Sequence, residues 1–343
     1  MNLDQLLRKN IKSLQPYSSA RDEYSGEALI FLDANENPYN QPYNRYPDPL
    51  QKVLKEKIAQ LKQVKLESIF LGNGSDEPID LLIRAFCEPG EDNIITIDPT
   101  YGMYQVAAAI NNVEVIKSPL NGSYELDSTA ILKAATNKSK LIFLCSPNNP
   151  SGNSLQTDSM LAVINNFNGI VVVDEAYIDF AADKSLLPLL GKYSNLVILQ
   201  TFSKAWGMAG IRLGMAFAAP EIISILNKIK YPYNLNILTQ QKALELIENR
   251  SQTEEWVKQI KAERDVLKNE LLKFPFTIHI FPSDANFLLV KMHDARGIYD
   301  FLKEKGIIVR DRSKVFLCDD SLRITIGTPD ENSQLINTLK ELI

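Results

Sequence analysis

Cysteine and histidine are scarce in this sequence, with three cysteines and two histidines among 343 residues. Cys87, Cys145 and Cys318 are scattered and odd in number, which argues against a disulfide framework. We expect them to be free thiols, mostly buried, in a protein of the reducing cytoplasm. His279 and His293 have no partner motif, so neither is expected to be catalytic and no metal site is predicted.

Long apolar runs and a one-sided charge are also missing. No apolar stretch approaches the roughly 20 residues that cross a bilayer, and residues 1–15 are polar rather than signal-like. The net charge is −5, without a long run of lysine or arginine. Membranes and nucleic acids are therefore not expected partners. A composition of 45% hydrophobic and 23% charged residues is typical of a globular protein.

Short apolar segments alternate with helical patterns between about residues 50 and 250. This order predicts an α/β fold, and the unbroken apolar character of several segments indicates strands covered on both faces. We predict a mostly parallel seven-stranded sheet sandwiched by helices. Its strands are expected at 69–71, 93–97, 113–117, 141–145, 170–173, 196–199 and 214–218.

The pattern changes after residue 250. A long charged amphipathic helix at 251–273 leads into alternating strands and helices that continue to the end of the sequence. This predicts a smaller α+β domain, as the length of the chain also suggests. We expect a large domain at 31–250 and a small domain made of 1–30 plus 251–343, with the first 30 residues packing on the C-terminal part.

Two charged residues follow two of the predicted strands. Lys204 lies in Thr201-Phe202-Ser203-Lys204-Ala205-Trp206, and its small neighbours argue against an ordinary exposed lysine. Asp174 ends the strand at 170–173, where a buried carboxylate needs a partner. A lysine and an aspartate so placed suit pyridoxal phosphate (PLP), because the amine forms a Schiff base and the carboxylate pairs with the pyridinium nitrogen. A helix cap or structural ion pair is the other interpretation of Asp174.

The segment Leu71-Gly72-Asn73-Gly74-Ser75-Asp76-Glu77 joins a predicted strand to a predicted helix. Glycines and a helix start favour binding of a phosphate. A dinucleotide fingerprint is disfavoured because Glu77 stands where its third glycine belongs. Ser75 and Asp76 also fit a plain helix cap.

Two further segments suit an anion and a cofactor ring. Ser146-Pro147-Asn148-Asn149-Pro150 follows a strand, where an asparagine side chain can bind a phenolate oxygen or merely form a turn. Tyr177, three residues after Asp174, is a second candidate partner for that oxygen. Ser203 and Arg212 suit a phosphate ester.

These motifs together resemble the fold-type I PLP aminotransferases. With Asn44-Arg45-Tyr46-Pro47-Asp48-Pro49, Pro99-Thr100-Tyr101-Gly102-Met103-Tyr104 and the C-terminal arginine segments at 309–312 and 322–325, the sequence is similar, more narrowly, to the histidinol-phosphate aminotransferase family. The resemblance covers nearly the whole sequence.

The resemblance implies roles for individual residues. Tyr101 would stack on the cofactor ring, Asn149 and Tyr177 would bind its phenolic oxygen, and Asp174 its nitrogen. The phosphate region would be held by Ser75, Asp76, Ser203 and Arg212. Tyr46 would reach across from the partner subunit, giving a homodimer with shared active sites, and Tyr17 would lie near the substrate.

The same resemblance implies PLP-dependent transamination of L-histidinol phosphate with 2-oxoglutarate, giving imidazole-acetol phosphate and L-glutamate. A phosphate dianion is better neutralised by two cations, and Arg310 and Arg323 are the candidates, although Arg312 is close enough to confuse the assignment. Lys204 would act as the general base and acid. The alternatives are an aromatic or broad-specificity aminotransferase, a phospho-amino-acid decarboxylase and a non-catalytic regulator on this fold.

Overall fold

The computed structural model describes residues 3–17 and 30–343. Its larger sheet contains seven strands that begin and end close to the expected positions. They are β1 (Ile69–Asn73), β2 (Asn93–Asp98), β3 (Glu114–Pro119), β4 (Ser139–Cys145), β5 (Ile170–Asp174), β6 (Leu196–Thr201) and β7 (Leu213–Ala218).

Helices precede and connect these strands. The described helices of this part of the chain are α1 (Leu3–Leu6), α2 (Lys9–Ser13), α3 (Lys52–Lys62), α4 (Asp76–Phe86), α5 (Met103–Ile110), α6 (Ser128–Ala134), α7 (Thr157–Asn166), α8 (Pro220–Ile229) and α9 (Ile237–Glu248).

The strand order is β1-β7-β6-β5-β4-β2-β3. Only β7 runs against its neighbours β1 and β6, and the other adjacent pairs are parallel. Every residue of β5, β6 and β7 is buried, and two apolar clusters cover the two faces of the sheet. The predicted mostly parallel α/β sheet is confirmed.

A second unit follows the 22-residue helix α10 (Arg250–Leu271). Its antiparallel sheet has the order β10-β11-β9-β8, and it has an apolar cluster of its own. The elements are β8 (Thr277–Ile280), β9 (Phe287–Met292), α11 (Ala295–Glu304), β10 (Arg310–Asp311), β11 (Ser321–Thr325) and α12 (Pro329–Leu339).

The length of β10 and the packing of the N-terminal residues need separate description. β10 has only two residues, because the backbone turns at Gly306 with φ +79° and pairs with β11 only from Arg310 onward. The described N-terminal residues pack on the seven-stranded unit: Arg8 donates to Arg84 O at 2.9 Å and to the Glu88 carboxylate. The expected packing of these residues on the C-terminal unit is therefore wrong for α1 and α2, whereas the domain boundaries stay a prediction.

Two other features of the described residues bear on the sequence analysis. All three cysteines are free and buried, as expected. No described helix has both the length and the apolar character needed to span a bilayer.

Candidate active site

The neighbouring parallel strands β5 and β6 bring Asp174 and Lys204 to the same edge of the sheet. Asp174 is in register with Leu199, five residues before Lys204. The Lys204 Nζ lies 5.4 Å from the centre of the Tyr177 ring. Lys204 is exposed, which differs from the expectation drawn from its small neighbours. Its amine is nevertheless partly desolvated, and this desolvation and then the cation of Arg323 lower the pKa of Lys204, while Asp174 opposes the shift. The two residues that the sequence singled out are thus electrostatic neighbours, and the lowered pKa favours the nucleophilic neutral amine.

Asp174 is only 2% exposed. Its Oδ2 accepts a hydrogen bond from the Tyr104 hydroxyl at 2.6 Å, and its Oδ1 accepts one from the Ala176 N–H at 3.0 Å. Burial raises the pKa of Asp174 to about 6, against the lowering effect of these two bonds. Among the described residues, no side-chain cation lies within ion-pair distance of this carboxylate.

The turn after β1 is shaped to receive an anion. The Gly74 backbone has φ +70°, and a Cβ there would lie 2.7 Å from Arg212 Nη2. Arg212 Nη2 is also 3.6 Å from Asp76 Oδ2. A Cβ on Gly214 would meet the Gly74–Ser75 backbone at 2.2 Å, so β7 holds the turn in place. The start of α4 and one guanidinium therefore face the same small space, as phosphate sites require.

Two alternatives for this turn can now be compared with the geometry. The Glu77 carboxylate accepts the Asn73 N–H at 2.6 Å and also binds Asn234, so it closes the turn that a dinucleotide fingerprint would leave open. Ser75 is the N-cap of α4, but its side chain makes no capping bond. Neither the dinucleotide interpretation nor the plain cap is supported.

Ser203 is partly buried next to this turn. Its hydroxyl accepts from Thr201 Oγ1 at 3.0 Å, and its N–H donates to the same oxygen at 3.1 Å. Tyr101 is tied to the turn from the other side, because its hydroxyl donates to Asp76 Oδ1 at 3.1 Å. Burial and the Asp76 carboxylate raise the pKa of Tyr101, so this phenol remains neutral.

The two asparagines after β4 have different surroundings. Asn148 is fully buried: its amide donates to Pro99 O and Ser151 Oγ, and its oxygen accepts from Thr100. Asn149 accepts a 2.5 Å hydrogen bond from Arg323 Nη1 through Oδ1, and its amide donates to no described residue. Asn148 is therefore a structural turn residue, whereas Asn149 keeps a donor for a ligand.

Three arginines meet at the edge of the smaller sheet. Arg310 is in register with Arg323 on the neighbouring strand, and Arg312 follows two residues later. Burial and the other two guanidinium groups lower the pKa of Arg312. The buried Nε atoms of Arg312 and Arg323 have no hydrogen-bond partner in the part of the chain that the structure describes. The intervening Asp311 pairs with Arg296, 3.4 Å away.

Among residues 3–17 and 30–343, no carboxylate forms an ion pair with any of these three arginines. We call Arg310, Arg312 and Arg323 the arginine trio. Like charges at such close range are unfavourable without an anion between or beside them. The arrangement is therefore suited to a ligand with more than one negative charge.

Open cavities adjoin both halves of the site. One of about 410 Å³ is lined by Tyr101, Tyr104, Pro150 and Arg312, among others. A second, of about 580 Å³, lies beside Asn73 and Arg212 at the β1 turn. The residues that line these two cavities do not include Lys204, Asp174 or Asn149, so the cavities adjoin the edges of the candidate site rather than its centre.

Two predicted site residues lie away from this cluster. Tyr46 is in an exposed loop and stacks on Tyr233 with ring centres 4.6 Å apart. Tyr17 is 70% exposed at the end of the described N-terminal residues. The single chain does not bring either ring to Lys204, so their roles stay predictions.

Comparison with known proteins agrees with this geometry. Residues 25–339 match the family model of aminotransferase class I and II. The chain belongs to this aminotransferase family. Its sequence is 58% identical to a histidinol-phosphate aminotransferase of Parabacteroides distasonis and 56% identical to one of Cytophaga hutchinsonii, in both cases over 99% of each chain.

Solved aminotransferase structures share the fold. The histidinol-phosphate aminotransferase from Clostridium acetobutylicum superimposes with a TM-score of 0.81 at 27% identity, covering 88% of this chain and 91% of that one. The fold-type I architecture, with a mostly parallel sheet and a smaller unit, is therefore established for this aminotransferase.

Sequence reasoning overlooked one contact in the aminotransferase site and left another open. Tyr104 was noted only within a motif, although a separation of three residues from Tyr101 would place both on one side of a helix. Arg312 follows Arg310 by two residues, a spacing that would place both on one face of a strand. These two periodicities were the available signals.

Proposed function

We propose that this aminotransferase carries out the PLP-dependent transfer of the amino group of L-histidinol phosphate to 2-oxoglutarate, giving imidazole-acetol phosphate and L-glutamate. The observation that carries the proposal is the arginine trio without counter-ions beside Lys204 and Asn149. The activity named for relatives at 58% and 56% identity supports the same reaction.

The residues of the larger sheet fit PLP. Asp174 would bind the ring nitrogen, Tyr101 the ring face, and Asn149 and Tyr177 the phenolic oxygen. Ser75, Asp76, Ser203 and Arg212 would form the phosphate end, where the α4 N-terminus and the Arg212 guanidinium already meet. When bound, the cofactor supplies an electron sink that acidifies the carbon carrying the amino group.

Lys204 would tether the cofactor and move the proton. Its lowered pKa favours the neutral amine, which is the form that attacks a carbonyl and accepts a proton. The neighbouring Arg323 contributes to this lowering of the pKa, so a guanidinium that we assign to substrate binding would also help to activate the base.

The substrate phosphate would bind the arginine trio. Histidinol phosphate has a dianionic ester where an ordinary amino acid has a carboxylate, and a second guanidinium matches the second charge. Arg323 is fixed by Asn149 and stacks over Phe287, with 5.3 Å between its guanidinium carbon and the ring centre. We assign Arg323 to the anion of either substrate and Arg310 to the extra charge of the phosphate.

A homodimer with shared active sites is supported by the exposed loop around Tyr46. Tyr39, Tyr43 and Tyr231 are 78%, 60% and 75% exposed, and Tyr46 itself is 51% exposed. Aromatic residues so concentrated on a surface are typical of an interface. Tyr46 and Tyr17 would complete a site across this interface. The free buried thiols are in keeping with a cytoplasmic enzyme.

The reaction is tested by comparing amino donors. With 2-oxoglutarate as acceptor, L-histidinol phosphate should give a kcat/KM at least about 100-fold above that of phenylalanine, because the carboxylate of phenylalanine neutralises one charge of the arginine trio fewer than the phosphate dianion does. Glutamate formation and loss of the donor are measured together. Equal rates with phenylalanine would support the broad-specificity aminotransferase, and release of carbon dioxide the decarboxylase.

The shared site has its own test. Lys204→Ala and Tyr46→Ala proteins are mixed, unfolded and refolded together. A mixed dimer has one wild-type site, made of Lys204 from one chain and Tyr46 from the other, so random pairing should restore about a quarter of the wild-type activity. Activity no higher than the sum of the two variants would reject the exchange of Tyr46.

A further inference from the structure

The buried hydroxyl of Tyr104 has no role in the arrangement above. It donates to Asp174 Oδ2 at 2.6 Å, the short length expected when a hydroxyl donates to an ionised carboxylate. Tyr104 is 0% exposed, and burial raises its pKa well above the ordinary value, with Asp174 as the next cause. The phenol therefore keeps its proton and can donate it to Asp174.

The position of this donor is fixed by packing. The Tyr104 ring stacks on Phe143 of β4, with centres 4.8 Å apart and planes 21° apart. Its other side meets Tyr101 edge-on at 5.6 Å. Phe143 pairs with Val172 on β5, the strand that ends in Asp174. The hydroxyl and the carboxylate are thus carried by adjacent rigid elements and keep their geometry without a ligand.

The electrostatic consequence concerns the charge of Asp174. Burial alone favours the neutral acid, and the bonds from Tyr104 and the Ala176 N–H oppose it. Without the Tyr104 donor, a larger share of Asp174 would be protonated near pH 7. The other titratable groups facing it act less strongly or in mixed directions; they are Asp76, Lys204, Tyr101, Tyr177 and Cys145.

We propose that Tyr104 is a positioning residue that keeps Asp174 ionised and aimed at the ring nitrogen of the cofactor. Its hydroxyl occupies one oxygen of the carboxylate, and the remaining lone pairs are left for the nitrogen. This inference rests on the proposed role of Asp174 but not on the identity of the amino donor.

The test uses the hydroxyl deletion Tyr104→Phe and a matched control. Tyr124→Phe removes the hydroxyl of another tyrosine whose residue is only 2% exposed, and this hydroxyl also makes a 2.6 Å bond, but to the Leu317 carbonyl. Purified apo-proteins are loaded with PLP labelled with ¹⁵N in its ring. The nitrogen chemical shift reports ring protonation, and equilibrium dialysis gives the cofactor affinity.

Tyr104→Phe should move the nitrogen signal toward that of the unprotonated ring at pH 7.5 and weaken PLP binding about tenfold, whereas Tyr124→Phe should change neither. In an Asp174→Asn background, adding Tyr104→Phe should change affinity less than about twofold, because the acceptor of the charge-assisted bond is gone. Equal behaviour of the two Tyr→Phe variants, or a full tenfold effect in the Asp174→Asn background, would overturn the proposal.

The wild-type apo-protein gives a test that needs no folded variant. With ¹³C-labelled aspartate, the Asp174 carboxyl signal should be that of an ionised group at pH 7.5, and a protonated signal would also overturn the proposal. The Asp174→Asn variant alone distinguishes a failure of the proposed function from a failure of the proposed role of Tyr104. If it leaves the nitrogen signal protonated, the role of Asp174 in the proposed function fails. If it changes the signal and Tyr104→Phe does not, only the role of Tyr104 fails.

Discussion

The two halves of the site differ in how their charges are balanced. On the larger sheet, Arg212 lies beside Asp76, and Asp174 is held by Tyr104 and Ala176. On the smaller sheet, the arginine trio lies together without a carboxylate partner in the described chain. Under the proposed function the first group would bind the cofactor and the second the substrate, and we call them the cofactor half and the substrate half.

The difference matches how long each ligand stays. A cofactor that remains bound through many turnovers is served by partners fixed in advance, since pre-organisation lowers the cost of binding. A substrate half with unneutralised cations attracts each incoming anion and can serve both a phosphate and a carboxylate in turn. Under the proposed function, the unneutralised guanidinium groups are therefore those that meet the ligands exchanged in each turnover.

The largest effect on turnover should come from replacing Lys204, which is the residue between the two halves. Lys204→Ala should lower turnover by at least about 10⁴-fold, because both the tether and the proton carrier are lost. Borohydride treatment should no longer attach PLP to the protein, as measured by mass spectrometry. Turnover within tenfold of wild type would remove Lys204 from the chemistry.

Removing the shared cation should damage both half-reactions. Arg323→Gln should reduce kcat/KM by about 10²- to 10³-fold for histidinol phosphate and for 2-oxoglutarate alike, as expected for a desolvated anion partner. Single-turnover kinetics with each substrate separate the two effects. Arg250→Gln, which removes an exposed arginine paired with Glu254 in the first turn of α10, is the control and should change neither.

Asp174 belongs to the cofactor half and has no ion-pair partner among the described residues. Burial raises the pKa of Asp174 from 3.8 to about 6 in the apo-protein. Because the folded pKa is the higher one, protonation of Asp174 adds to the free energy of unfolding below the unfolded pKa, and this contribution is lost as the pH rises through about 6. The total loss is about 3 kcal/mol, roughly half of it between pH 5 and 8. The Asp174→Asn variant should not lose stability in this way, because an asparagine side chain does not titrate.

Urea unfolding of both apo-proteins from pH 5 to 8 measures that difference. Glu175, whose pKa burial raises to about 7, is present in both proteins and cancels in the comparison. A constant difference between the two proteins across this pH range would contradict a buried, titrating Asp174.

Within the arginine trio, Arg310 should distinguish the two anions. Arg310→Gln should lower kcat/KM for histidinol phosphate about 10- to 100-fold but that for 2-oxoglutarate less than about threefold, since a carboxylate needs one guanidinium fork. The ratio of the two values is the measurement. An equal loss for both substrates would place Arg310 with Arg323 as a general anion site.

The smallest effect is expected at Arg312, which is half-buried beside the other two. Arg312→Gln should weaken inhibition by inorganic phosphate about tenfold while leaving that by glutarate nearly unchanged. Competitive inhibition constants for the two anions report this directly. The reverse preference would assign Arg312 to the carboxylate.

The sequence by itself determined the sheet, the Lys204 and Asp174 positions and the β1 turn. Apolar runs mark buried strands, and residues at the carboxyl ends of adjacent parallel strands must lie close together. It could not choose between Asn148 and Asn149, because both suit the same turn. Only the structure shows that internal hydrogen bonds occupy Asn148, while Asn149 meets Arg323 from the other unit.

Tertiary structure also decided the contacts between distant segments. Tyr104 and Asp174 are 70 residues apart, and no local pattern predicts that a tyrosine on α5 donates to the end of β5. The packing of the N-terminal residues on the C-terminal unit was predicted wrongly for the same reason. The sequence of a short helical segment does not indicate which apolar surface it will cover. Local propensity and periodicity define elements, whereas pairing across the chain depends on packing that the folded molecule alone specifies.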